Sequence, residues 1–97
     1  MKAETILVDN VASPDSPPRP VNREKFEVVR DAVLAVLPGA EPGFSYAELK
    51  AAVMPRLDVM FPGGDKLGWW LKCVQLDQEA KGVIVRHGKP LRWYRAT

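Results

Sequence analysis

The sequence predicts an α+β fold of the winged-helix type, with three helices and a C-terminal two-stranded β wing. Three observations support this. After a Pro-Gly-Gly turn, residues 65–82 carry apolar side chains at helical spacing. Two earlier segments show the same spacing, and the last fifteen residues are rich in β-branched and aromatic side chains around one glycine. The chain has 97 residues, which is the length of one domain.

The N-terminal segment, residues 1–21, is expected to be extended or partly disordered. It contains a short predicted strand, Thr5 to Val8, followed by the proline-rich run SPDSPPRP. That run has too few apolar side chains to fold alone, so we expect it to be draped on the body. The predicted winged-helix domain comprises residues 22–97.

The first helix is predicted to begin after Asn22, whose side chain suits an N-cap, and to extend to Leu37. Apolar positions recur along it at helical spacing: Phe26, Val29, Val33 and Leu37. Pro38 and Gly39 then end it.

A short bridge strand is expected at Phe44, directly before the second helix. Ser45 and Glu48 have the spacing of a capping box and predict the start of that helix. Because Pro55 disfavours helical geometry in the preceding residue, the helix is expected to end near Val53.

The connection to the third helix, residues 55–64, is longer than the usual three or four residues of a helix-turn-helix. Its length leaves room for an extra helical turn. We expect Leu57, Met60 and Phe61 to pack inward there.

The third helix, placed at residues 65–82, has two apolar arcs. The core arc carries Leu67, Trp70, Leu71 and Val74, and the second arc carries Trp69, Cys73, Leu76 and Ala80. Between them lie a wide polar strip (Asp65, Gly68, Lys72, Gln75 and Glu79) and a narrow one (Lys66, Asp77 and Lys81). Gln78 falls on the core arc, so we expect it near an edge or hydrogen-bonded.

The wing is predicted as two strands around a turn from His87 to Pro90. Residues 1–82 hold ten basic against twelve acidic side chains, whereas residues 83–97 hold four basic and no acidic ones. Any attraction for polyanions is therefore concentrated in the wing.

The run FPGGDKLGWWLKCVQLDQEAKG followed by KPLRWYR resembles a small bacterial family of uncharacterised single-domain proteins, a domain of unknown function. The resemblance covers residues 22–95, and PGG-x-K-x-GWW is its most specific part. It implies a winged-helix-like fold and no established activity. Gln78 departs from the family pattern, which usually has Leu at that position.

The first hypothesis is binding to double-stranded DNA in a regulatory or accessory role. Lys72 and Gln75 are candidates for base-edge contacts. The candidate phosphate contacts are Arg86, Lys89, Arg92 and Arg95. Lys66 is a further candidate nucleic-acid-binding residue. Asp65 and Glu79 give the wide strip a charge of −1, so a plain solvated face remains the alternative.

Gly63 and Gly64, with Lys66, are a candidate anion cradle at the start of the third helix. The spacing does not match a P-loop, G-x-x-x-x-G-K-[ST]. The alternative is that the two glycines only ease a tight turn.

The second hypothesis is a protein-interaction or dimerisation module whose candidate interface is Trp69, Cys73 and Leu76. The N-terminal segment, the first helix or another subunit could cover this arc. It is an alternative in which nucleic acid has no role.

No enzymatic activity, cofactor or metal is expected. Asp77 and Glu79 face apart on a helix, and no motif links Cys73 with His87 as nucleophile and base. One cysteine with one histidine cannot form a structural zinc site. No segment is long and apolar enough for a signal peptide or membrane span, so we expect a soluble cytoplasmic protein.

Overall fold

The structure, a computed structural model, describes residues 4–13, 15–89 and 91–96. It is an α+β fold of three helices and two small antiparallel sheets, as the sequence predicts. The elements in chain order are β1 Thr5–Val8, β2 Arg19–Asn22, α1 Arg23–Val36, α2 Tyr46–Leu57, a 3-10 turn Pro62–Gly64, α3 Leu67–Ala80, β3 Ile84–His87 and β4 Arg92–Arg95.

Each sheet is a single hairpin. In the C-terminal sheet β3 pairs with β4, with Ile84 opposite Arg95 and His87 opposite Arg92. This confirms the predicted hairpin, although Pro90, at the end of the predicted turn, lies outside the described residues. In the N-terminal sheet β1 pairs with β2, from Thr5 opposite Asn22 to Val8 opposite Arg19. The strand at Thr5–Val8 was predicted, but its pairing with the end of the proline-rich run was not.

Helix α1 starts as the sequence predicts. The Asn22 side chain accepts a hydrogen bond of 2.9 Å from the Lys25 backbone N–H, which confirms the N-cap. At the other end the Leu37 N–H still donates to the Val33 carbonyl, and Leu37 itself is extended.

Helix α2 begins with the predicted capping box and continues further than predicted. The Ser45 Oγ accepts from the Glu48 N–H, and the Glu48 carboxylate accepts from the Ser45 N–H. The prediction that α2 ends near Val53 is wrong, because the helix passes through Pro55 to Leu57. Leu57 is buried in the core, and this packing outweighs the hydrogen bond that proline cannot donate.

The long connection before α3 holds the extra turn expected there. The Phe61 N–H donates to the Leu57 carbonyl at 2.8 Å, and the 3-10 turn follows. Leu57 and Phe61 are buried, and Met60 packs against the core, which confirms their inward placement. Phe61 also contacts the ring of Trp70, with 6.4 Å between centroids.

The predicted bridge strand joins the wing to the body. Phe44 and Trp93 exchange two backbone hydrogen bonds of 2.8 Å each. Gly43, just before the bridge, has a φ of +82°, and a Cβ there would lie 2.2 Å from the Trp93 carbonyl oxygen. Only glycine therefore permits this close approach of the two chains.

Helix α3 lies against α1 on one side and contacts both β1 and β3. It spans 14 residues, so the predicted range 65–82 was too long at both ends. Lys66, with a φ of +63°, precedes the helix in the left-handed region. The predicted core arc is confirmed, because Leu67, Trp70, Leu71 and Val74 are all buried. The core is completed mainly by α1 and α2, with Val8, Ile84 and Trp93 from the strands.

Candidate functional site

The exposed side of α3 has two flanks that meet different parts of the chain. Lys72 is exposed, and by its position on the helix it lies between them. Gln75 and Glu79 form the flank that meets the wing. Cys73 and Leu76 form the flank that meets the N-terminal segment.

The wing flank is built around Glu79. The Arg86 Nε donates to Glu79 Oε1 at 2.9 Å, and Arg86 Nη2 donates to Oε2 at 3.2 Å. The Gln75 side-chain amide donates to the same carboxylate. The Glu79 side chain is only 6% exposed, whereas that of Arg86 is 48% exposed. The carboxylate that the sequence analysis counted against a polyanion is therefore enclosed and neutralised.

Two of the predicted phosphate-contacting arginines hold the wing to the body instead. Arg92 Nη1 donates to the Gly43 carbonyl at 3.0 Å and to Glu48 Oε1 at 2.7 Å. Arg95 Nε donates to the Leu37 carbonyl at 2.9 Å. Lys89 is exposed in the turn between the strands. Of the four wing cations, Arg86 and Lys89 thus have the most exposed side chains for an external ligand.

Glu48 connects the wing to the start of α2. The Ser45 backbone N–H donates to its carboxylate, and this hydrogen bond is the main cause that lowers the pKa of Glu48. The Arg92 guanidinium lowers it further. The charged form of Glu48 is therefore the one that caps α2 and anchors the wing.

The amides of the predicted anion cradle already have acceptors within the chain. The Gly63 N–H donates to Asp58 Oδ1 at 3.4 Å, and the Gly64 N–H donates to the Phe61 carbonyl at 2.8 Å. Lys66 is exposed just before α3. One donor of the candidate cradle thus already faces a carboxylate, and the other closes the turn.

The N-terminal flank forms a groove beside the second apolar arc. The groove has a volume of about 300 Å³ and is lined by Asn10, Arg19, Trp69, Lys72, Cys73 and Leu76. The Val11 N–H donates to the Leu76 carbonyl at 3.4 Å, so the N-terminal segment covers part of the arc. Trp69 remains 53% exposed and contacts the Trp70 ring at a centroid distance of 4.9 Å.

Sequence reasoning brought together Trp69, Cys73 and Leu76 but missed Arg19 and Asn10. Both belong to the segment expected to be extended or partly disordered. The pairing of Val8 with Arg19 places them beside α3. Arg19 interrupts an otherwise uncharged PPRP run, but nothing local specifies which helix it would meet.

Asp77 is buried, although the sequence analysis placed it on the narrow polar strip. Its Oδ1 accepts from the Asp9 backbone N–H at 2.9 Å and from Lys81 Nζ at 2.7 Å. Its Oδ2 accepts from the Gln78 amide at 2.9 Å. Gln78 is 5% exposed, and this bond confirms the expectation that it is hydrogen-bonded.

Cys73 and His87, the two residues considered for nucleophilic chemistry, lie next to different groups. Burial, followed by the nearby Asp77 carboxylate, raises the pKa of the Cys73 thiol. His87 lies next to Glu41, with Nδ1 3.4 Å from Oε1, and against the Tyr94 ring. Among the described residues, no group of three or more His, Cys, Asp or Glu side chains could hold a metal ion.

The chain belongs to a family of unknown function (DUF6958), whose sequence profile matches residues 5–93. The matched range covers the residues of β1 and β2 as well as those of the three helices. No curated protein and no solved structure matches the chain.

None of the helices in the described part of the chain has both the length and the apolar character needed to cross a membrane.

Proposed function

We propose that this chain is a winged-helix protein that binds double-stranded DNA in a regulatory or accessory role. The contact surface consists of Lys72 on α3 together with Arg86 and Lys89 of the wing. The observation that carries the proposal is the Arg86–Glu79 pair. It fixes β3 beside the polar strip of α3 and neutralises the acidic residue that would repel phosphate.

The residues of this surface have different roles. The Gln75 amide is held by Glu79, so Lys72 is the side chain of the strip that can reach a base edge. Arg86 binds Glu79 through Nε and Nη2, which leaves Nη1 for a phosphate oxygen. Lys89 can reach a second phosphate from the turn. This surface has few cations, so we expect weak binding with the shallow salt dependence of about two phosphate contacts.

The test is titration of a short fluorescent DNA duplex with the protein, followed by anisotropy at increasing salt. Two phosphate contacts predict binding at about 50 mM salt and a slope of log K against log salt of about −2. Lys89→Glu should weaken binding and reduce the magnitude of that slope by about 1, whereas Lys72→Glu should weaken binding with a smaller change in the slope. Lys25→Glu is the matched control, because it makes the same charge change on α1, outside the proposed contact surface. Absence of binding at low salt would refute the proposal.

The second candidate function is a protein-interaction module without a nucleic-acid role. The specific observation in its favour is Trp69, a large aromatic side chain 53% exposed on α3. Sedimentation velocity at increasing concentration tests its dimer form. Self-association that Trp69→Ala abolishes would support a dimer, whereas a monomer at every concentration would exclude one.

A further inference from the structure

The groove between α3 and the N-terminal segment has the chemistry of a peptide-binding site. We propose that it binds an acidic peptide segment of another protein. An apolar side chain of the peptide packs against Trp69 and Leu76, and its carboxylates meet Arg19 and Lys72. Lys72 belongs to both surfaces, but this proposal does not depend on DNA binding, because Arg86 and Lys89 take no part in it.

The charges of the groove determine the chemistry of the partner. Arg19 and Lys72 are both exposed, and no Asp or Glu side chain lines the groove. Neither cation forms an ion pair with another described residue, whereas Arg23, Arg86 and Arg92 all do. Two unneutralised cations flanking an apolar floor are complementary to carboxylates flanking an apolar side chain.

The floor of the groove supplies the apolar contact. The Trp69 ring stands nearly perpendicular to the Trp70 ring, at 84°, and Trp70 is buried in the core. Trp69 is thus supported by the core while half of its surface remains open. A supported, half-exposed tryptophan beside Leu76 can be covered by a partner at little conformational cost.

A peptide fits better than a single-stranded nucleic acid, which would also use aromatic and basic side chains. The groove continues into a second cavity of about 220 Å³ that shares Asn10, Arg19, Cys73 and Leu76. Asp9 lines this continuation. A chain with a phosphate at every residue would meet that carboxylate, whereas a peptide can confine its acidic residues to the part of the groove that Arg19 and Lys72 line.

The first experiment measures binding of a fluorescein-labelled peptide that has one Phe flanked by Glu and Asp residues. The comparison probes are the same peptide with Phe replaced by Ser, the same peptide with its acidic residues replaced by Lys, and single-stranded oligodeoxythymidylate. We expect the acidic Phe peptide to bind and each changed peptide to bind at least about tenfold more weakly. Equal binding of the changed peptides, or tighter binding of the oligonucleotide, would overturn the proposal.

Protein variants locate the site. Arg19→Glu and Trp69→Ala should each lower the affinity for the acidic peptide at least about tenfold, while Lys25→Glu should leave that affinity unchanged. Arg19 and Trp69 are exposed, so both variants should fold, which circular dichroism checks. Duplex DNA binding should be less affected than peptide binding by Trp69→Ala, so the two proposals can fail separately. Unchanged peptide affinity in both variants would overturn the groove assignment.

Cys73, the single cysteine of the chain, gives an independent readout because it lines the groove. Bound peptide should slow its alkylation by N-ethylmaleimide at mildly alkaline pH several-fold. An unchanged alkylation rate at a saturating peptide concentration would show that the peptide binds elsewhere.

Discussion

Asp77 is a carboxylate with no exposed surface, in the C-terminal half of α3. Burying such a group is favourable only when hydrogen bonds replace its water contacts. Here the backbone of Asp9, the amide of Gln78 and the ammonium of Lys81 replace them. The residue therefore joins the N-terminal segment to the central helix. Asp77 also explains why a polar residue, Gln78, occupies a core position, because the Gln78 amide supplies one of these donors.

Asp77→Ala should lower the free energy of unfolding by about 2 to 3 kcal/mol, because the Asp9 N–H and the Gln78 amide lose their acceptor. Urea unfolding followed by circular dichroism measures this. Asp65→Ala, at an exposed position before α3, is the control and should change stability by less than about 0.5 kcal/mol. Similar values for the two variants would contradict the joining role of Asp77.

Cys73 makes stability depend on pH in the alkaline range. Burial, and then Asp77, raises the pKa of its thiol in the folded chain above the value in the unfolded chain. The folded state therefore keeps the thiol proton up to a higher pH than the unfolded state does. The resulting stability is fully present below the unfolded pKa, about 8.5, and is lost as pH rises towards the folded pKa.

We expect the free energy of unfolding of the unmodified chain to fall more steeply above about pH 8.5 than that of Cys73→Ala. Urea unfolding at a series of pH values measures both curves, and their difference removes the contribution of lysines and tyrosines. Curves that stay parallel through this range would show that the folded thiol is not shifted.

At the scale of elements, local signals and tertiary packing agree at most helix ends and disagree in α2. Pro55 should end the helix by its own geometry, yet α2 continues to Leu57. One missing hydrogen bond near the end of a helix costs less than exposing Leu57 and Phe61, both of which are buried. Tertiary burial therefore determines the length of α2.

Pro55→Ala should stabilise the protein by about 1 to 2 kcal/mol. Alanine restores a backbone N–H that can donate within the helix, and it removes the clash of the proline ring with the preceding turn. This gain exceeds the stabilisation of about 0.4 to 1 kcal/mol that proline provides by restricting the unfolded chain. Thermal unfolding measures the change, and Arg56→Ala at the exposed neighbouring position is the control. A lower melting temperature for Pro55→Ala would mean that α2 depends on the proline.

At the scale of the whole molecule, the N-terminal hairpin is packed against the helices. Val8 is 5% exposed in the core, and the Asp9 backbone is bonded to Asp77. The Arg23 N–H also donates to the Glu4 carbonyl at 2.9 Å. These contacts connect the segment predicted as extended or partly disordered to both α1 and α3.

A chain that lacks residues 1–21 should unfold at least about 8 °C below the full chain. Loss of the Val8 contacts and of the Asp77 acceptor bonds removes about 2 kcal/mol or more, and a domain of this size loses 4 to 8 °C per kcal/mol. Differential scanning calorimetry measures both chains. An unchanged melting temperature would show that residues 22–97 form the stable unit alone.

Local chemistry was sufficient to predict most elements of this fold. The caps of α1 and α2 are hydrogen bonds between a side chain and a backbone N–H three residues away, made by Asn22, Ser45 and Glu48. The starts of both helices could therefore be predicted from spacing alone. The core arc of α3 follows from the helical period of 3.6, and the β3–β4 hairpin follows from β-branched and aromatic residues on both sides of a glycine turn. These features need no knowledge of distant parts of the chain.

The two flanks of α3 were decided by the tertiary structure. Arg86 meets Glu79 across the junction of helix and wing, and Arg19 reaches Trp69 and Lys72 only because β2 pairs with β1. The burial of Asp77 likewise depends on Asp9, 68 residues away in sequence. A hydrogen bond or an ion pair over such a separation leaves no periodic signal, because it depends on how whole elements pack. The sequence by itself thus determined the helices and the C-terminal hairpin, and packing determined which of their charged side chains are paired within the fold.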